Sequence, residues 1–120
     1  MQILVVDDDP LAGEMIAAVL EDQGHQVFQA ENAVVALELL NAQPGVELVV
    51  SDMNMPLVSG VELYRELQTQ GRKLPFILLT GDDPEAARAQ EPAIDACLMK
   101  DFSMEETLPA AIAKVMAASS

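Results

Sequence analysis

Apolar and polar positions along this chain switch between two periods, and the switch repeats five times. Short apolar runs at 2–6, 26–30, 46–51, 75–80 and 96–99 read as strands. Most are nearly continuous in apolar residues, as strands covered on both faces should be. The second, Gln26-Val27-Phe28-Gln29-Ala30, is mixed and suits a sheet edge. Helical spacing follows each run. Strand and helix in strict alternation predict βαβ units, hence an α/β domain with a parallel sheet and helices on both faces.

The helices carry readable ends. The first turns Ala12, Met15, Ile16 and Val19 to one face and stops at Gly24. The second starts near Asn32, presents Ala33, Ala36, Leu37 and Leu40, and ends before Pro44-Gly45. Ser59-Gly60-Val61-Glu62 is a capping-box pattern that opens the third, which buries Leu63 and Leu67. Asp83 followed by Pro84 marks the start of a fourth, kept short by Pro92. A second capping-box pattern, Ser103 to Glu106, opens the fifth, with Leu108, Ala111, Ile112 and Val115 facing inward. Pro109 lies inside it, so either its first turn is distorted or the regular helix begins nearer Thr107.

Length adds that 120 residues make one domain, read here as 1–120, and 51% hydrophobic content supplies a core. No apolar stretch nears the roughly 20 residues of a membrane span, and no leader pattern opens the chain. The single cysteine, Cys97, forms no internal disulfide and fits a reducing compartment, so a cytoplasmic location is expected. A net charge of −14 argues against nucleic-acid or membrane binding and favours cations and basic protein surfaces.

Most of those acids are an ordinary solvated surface, but a few are not. Ile3-Leu4-Val5-Val6 ends in Asp7-Asp8-Asp9, and Leu48-Val49-Val50-Ser51 ends in Asp52. Parallel strands finish at one edge of the sheet, so these carboxylates converge. At 4 to 5 Å they repel by about 3 to 4 kcal/mol per pair at an effective dielectric near 20. A divalent cation relieves that, and an all-oxygen donor set suits Mg²⁺. Thr80 and Lys100 end two further strands at the same edge. Three acids, a hydroxyl and an ammonium are what phosphoryl transfer to a carboxylate needs. Asp9, just past the pair, is read as the cap of the first helix.

The segments Val5-Val6-Asp7-Asp8-Asp9-Pro10, Ser51-Asp52-Met53-Asn54-Met55-Pro56 with Gly60, Leu79-Thr80-Gly81 and Met99-Lys100-Asp101-Phe102 resemble, in order, the receiver domain of two-component response regulators. The resemblance implies a flavodoxin-like, doubly wound five-stranded sheet in the order 2-1-3-4-5. It implies that Asp52 is the phosphoacceptor and the modified residue, and that Asp8 binds Mg²⁺ directly with Asp7 as its partner. Asn54 would offer a backbone carbonyl to the metal. Thr80 would contact the phosphoryl group and Lys100 would pair with it. A sensor histidine kinase or phosphotransfer protein would be the donor; the downstream partner is left open. Such a domain catalyses only its own phosphorylation and dephosphorylation.

Three positions depart from that pattern. Asp101 stands where proline, often after a cis bond, is usual; a trans bond is expected here, and Asp101 could compete for Lys100. Cys97 stands where an aromatic ring usually turns inward on switching. The interval from Thr80 to Lys100, 20 residues, is about two short of the family's, so the surface around the fourth helix is expected to be remodelled, leaving a monomer or weak dimer. Asn54 and Asp82 are candidates to position an attacking water. The main alternative is a receiver-like scaffold that binds partners without phosphorylation. An aspartyl phosphatase lacks its second acid, because Asn54 stands there, and a flavin site is disfavoured by the acidic loop after the first strand.

Overall fold

Five strands alternate with five helices in the computed structural model, which describes residues 1–55, 57–101 and 103–119. Pro56 and Phe102 of the family-like segments lie outside the described residues. The strands are β1 (Gln2–Val6), β2 (Gln26–Ala30), β3 (Val46–Asp52), β4 (Phe76–Thr80) and β5 (Ala96–Met99). The helices are α1 (Pro10–Asp22), α2 (Ala33–Ala42), α3 (Gly60–Thr69), α4 (Pro84–Gln90) and α5 (Met104–Ser119). All pairings are parallel, in the order β2-β1-β3-β4-β5.

The continuous apolar runs feed two layers at once, because successive side chains leave opposite faces of a strand. Leu4, Val6, Val49, Phe76 and Leu78 pack under α2, α3 and α4, against Ala36, Leu40, Val61, Leu63 and Leu67. Ile3, Val5, Leu48, Val50, Ile77 and Leu79 pack under α1 and α5, against Ile16, Leu20, Leu108, Ile112 and Val115. Each fully buried aliphatic contributes roughly 1.5 to 3 kcal/mol. This sandwich holds the strand ends in place.

Helix ends follow the sequence closely. Asp9 caps α1 by accepting from Leu11 N, and Asn32 caps α2 by accepting from Val35 N. Ser59 and Glu62 form both halves of their capping box. Asp83 caps α4 with Pro84 at its first turn.

Two helix readings need correction. In α1 the buried residues are Gly13, Ile16, Ala17 and Leu20, while Met15 is 59% exposed. Small residues mark the inward face because the helix backbone approaches the sheet closely: a Cβ on Gly13 would stand 3.3 Å from the Gln29 side chain and 3.8 Å from Asp7 Cβ. In α5 the helix begins at Met104 and continues through Pro109. Proline near a helix start loses a single intrahelical bond, the one its nitrogen would have given to the carbonyl of Glu105.

Candidate functional site

Three of the four strands that meet the site, β1, β3 and β5, carry their ladders one residue past their ends. Asp7 N donates to Ala30 O at 3.0 Å, Met53 N to Leu79 O at 2.7 Å, and Lys100 N to Thr80 O at 2.7 Å. The backbones of Asp7, Asp52, Thr80 and Lys100 are therefore fixed by the sheet itself, whereas Asp8 and Asn54 lie in the loops that follow it. The buried polar residues among those described are Asp7, Ser51, Asp52 and Thr80, all at this one edge. Burial of polar groups is costly unless they are partnered. Their concentration here is a property of the site and not of the core.

Asp7, Asp8 and Asp52 each bring a carboxylate oxygen within 4.8 Å of the others. Asp7 and Asp52 are buried, and Asp8 is exposed. Asp7 Oδ1 accepts from Asp9 N at 2.9 Å, which orients the carboxylate. Its Oδ2 is buried without a well-angled hydrogen bond and meets only the ammonium of Lys100, at 2.6 Å. Lys100 also lies 3.5 Å from Asp52 Oδ2.

These groups tune one another. Burial pushes the Asp52 carboxyl above the ordinary range; Lys100 opposes this, Asp7 adds to it, and the Asn54 backbone favours the charged form. Burial works against the charge of Lys100, but its contact with Asp7 and the fields of Asp52 and Asp7 prevail, so its pKa is raised. The ammonium stays charged at neutral pH. Three acids facing one ammonium leave two negative charges uncompensated, and the all-oxygen donor set fits a hard divalent ion.

Thr80 is buried, and its hydroxyl accepts from Asp82 N at 3.1 Å. Asn54 is exposed in the loop after β3. Asp101 does not compete for Lys100. Its carboxylate accepts from Ser103 N at 2.9 Å and from Ser103 Oγ at 2.5 Å, closing the turn that starts α5, and no described peptide bond is cis. Those hydrogen bonds hold the Asp101 carboxyl below its ordinary range. Cys97 is half-buried against the α2–α3–α4 layer, its thiol pushed up by burial.

Ser51 and Gly60, quoted above only as parts of sequence segments, take supporting roles that the sequence reading did not assign. Ser51 Oγ donates to Asp52 O at 3.0 Å; the signal was a hydroxyl next to the strand-end acid. Gly60 admits no side chain, since a Cβ there would stand 2.5 Å from Asp52 O and from Leu78 Cδ1.

The family model for the response regulator receiver domain matches residues 3–113. The chain belongs to that family. Response regulator MprA of Mycobacterium sp. (strain KMS) is 37% identical over 111 residues, 90% of this chain and 47% of the relative. Sensor histidine kinase RcsC of Salmonella typhimurium is 34% identical over 107 residues, 88% of this chain and 11% of that protein. The chain thus spans about half the length, or less, of these curated relatives. Among solved structures, response regulator TrrA from Thermotoga maritima, in complex with Mg(2+)-BeF, is similar with a TM-score of 0.84 and 30% identity, covering 95% of this chain and 97% of that one. The flavodoxin-like receiver fold and the signalling class are thereby shared. No helix among the described residues is long and apolar enough to cross a membrane.

Proposed function

We propose that this receiver domain accepts a phosphoryl group on Asp52 from a phosphohistidine of a sensor kinase or phosphotransfer protein. The observation that supports this most is the coincidence of buried polarity and opposed charge: Asp52 lies at a strand end with Asp7, Asp8 and Lys100 gathered around it. An Asp52 carboxylate oxygen attacks phosphorus, the phosphorus–nitrogen bond breaks, and the donor imidazole nitrogen takes a proton. The product is an acyl phosphate. Hydrolysis reverses the state: water attacks phosphorus and releases phosphate and the carboxylate.

Mg²⁺, held by Asp7, Asp8, Asp52 and the Asn54 carbonyl, would neutralise the phosphoryl oxygens. Lys100 moves its ammonium from Asp7 toward the new phosphoryl oxygens, which carry about two negative charges. Thr80 exchanges its bond from Asp82 N for one to the phosphoryl group. Exposed Asn54 and Asp82 flank the path of the attacking water. Asp101 being engaged with Ser103 leaves Lys100 available, which supports this reading over a scaffold that binds without phosphorylation. The domain turns over no external substrate, works in the cytoplasm as a monomer or weak dimer, and changes affinity for a downstream protein through a population shift.

Mass spectrometry after incubation with acetyl phosphate and Mg²⁺ tests this. A hydroxylamine-labile phosphate addition on Asp52 in wild type, absent in Asp52→Asn, is expected. Modification elsewhere, or none, would refute it.

A further inference from the structure

Leu57 combines two features in the loop that follows β3. Its backbone lies in the left-handed region, at φ 70°, and among the described non-glycine residues it alone does so. Its side chain is 100% exposed. Leucine in that conformation is strained, where asparagine or glycine is not. The strain brings no burial in return.

Its setting is built rather than loose. Gly60 N donates to Met53 O at 3.0 Å, closing the loop that leaves β3 into a lariat whose base adjoins Asp52. Met53, Met55 and Val58 turn inward against the α2–α3–α4 layer, and among the loop's described apolar residues Leu57 alone stands fully out. Three residues from Gly60, its Cα lies within about 10 Å of that anchor. A standard protein interface of about 800 Å² per partner covers a disc of about 16 Å radius. A protein that docks over Asp52 with an interface of that size therefore reaches Leu57.

The surroundings say what kind of protein fits. Leu11 is 72% exposed, Val34 65% and Met99 39%, and each lies at the strand-end edge that carries Asp52. Between these apolar points lie Asp8, Asp9, Asp82 and Asp83. The complement is an apolar surface studded with lysine or arginine.

We propose that Leu57 is a docking and specificity residue for the protein phosphodonor, seated in an apolar recess of a basic histidine-bearing surface. This rests on Asp52 being the acceptor. A backbone already held in that conformation adds little ordering cost on binding.

The test compares protein and small-molecule donors. Purified histidine kinases and phosphotransfer proteins of the source organism, phosphorylated beforehand, are profiled against wild type, and the fastest serves as probe. Leu57→Ala, which keeps the strain but removes the side chain, and Leu57→Asn, which relieves both, are each expected to lower kcat/KM for that donor at least tenfold. Leu57→Met restores most of it, and acetyl phosphate modifies every variant within about twofold of wild type. Leu57→Asn also raises Tm by about 3 °C while Leu57→Ala does not. Unchanged transfer from the protein donor, or a wild type served by acetyl phosphate and by no histidine protein, overturns the inference while leaving Asp52 as acceptor. Concentration-dependent self-association lost in Leu57→Ala with transfer intact also overturns it, in favour of a second copy. Failure of acetyl phosphate to modify Asp52 at all would instead remove the reading beneath it.

Discussion

Lys100 is closer to Asp7 than to Asp52, at 2.6 Å against 3.5 Å. The resting pocket thus holds its ammonium on an acid assigned to the metal rather than on the acid assigned to the phosphoryl group. A divalent ion arriving beside Asp7 meets a cation already there. Removing that cation in Lys100→Met should raise Mg²⁺ affinity about tenfold, equivalent to 1.4 kcal/mol. Without metal the same variant should lose about 2 kcal/mol of stability, less than for a fully buried pair because the lysine is partly solvated. Calorimetric Mg²⁺ titration and urea unfolding in chelator check the two arms. Equal affinities would mean that lysine and ion do not share a site.

Asp52 makes stability depend on pH in a particular direction. Its folded pKa is raised, chiefly by burial. Below its unfolded value, about 3.9, the carboxyl is protonated folded or unfolded and burial is not penalised. As pH rises through the folded value, a charge must be kept in the pocket and that stability is lost. In chelator, Asp52→Asn should therefore melt higher than wild type at pH 7, with the gap closing toward pH 4. Mg²⁺ should raise the wild-type melting temperature more than that of the variant. Thermal scans from pH 4 to 8, with and without the ion, measure both effects.

Gly60→Ala should cost about 2 to 3 kcal/mol. The added methyl meets Asp52 O and Leu78 Cδ1 at 2.5 Å, and a strand carbonyl cannot step aside as a flexible side chain can. Because the displaced carbonyl belongs to Asp52, phosphorylation by acetyl phosphate should also slow. Denaturant midpoints show the first effect. A variant as stable as wild type would mean that α3 can slide outward freely.

Tyr64→Phe removes the hydrogen bond that the phenol donates to Ala93 O at 3.2 Å and keeps the edge-on packing against Phe76, whose ring centroid is 5.3 Å away. A loss of about 1 kcal/mol is expected. Faster amide exchange at residues 93–95, but not in β1, would locate that loss in the connection to β5.

The strands and helix caps were legible because each depends on a handful of adjacent residues. The ends of apolar runs placed Asp7, Asp52, Thr80 and Lys100 at one edge, since parallel pairing leaves no other arrangement. The inward face of α1 was not legible. Hydrophobic spacing weights Met15 over Gly13 and Ala17, whereas close backbone approach selects the smaller residues. Asp101 was misjudged for a different reason: charge suggested Lys100 as its partner, but Ser103 two residues on offers two donors at no cost in reach. Leu57 carried no pattern at all. Its backbone angle follows from a loop closed between Met53 and Gly60, a tertiary constraint that local sequence does not express.

The fastening of α3 to the segment after α4 bears on how movement could spread. Arg65 Nε meets Glu91 Oε2 at 2.9 Å and Arg65 Nη2 donates to Gln90 O at 2.8 Å, beside the Tyr64 tie to Ala93. Gly60, at the other end of the first turns of that helix, abuts the carbonyl of Asp52. The helix is thus a short lever with one end on the acceptor strand and its side gripping residues 90–93. A tilt begun at the rim of the pocket would be delivered to the far edge of the sheet through α3, even with no aromatic ring at position 97 to carry it.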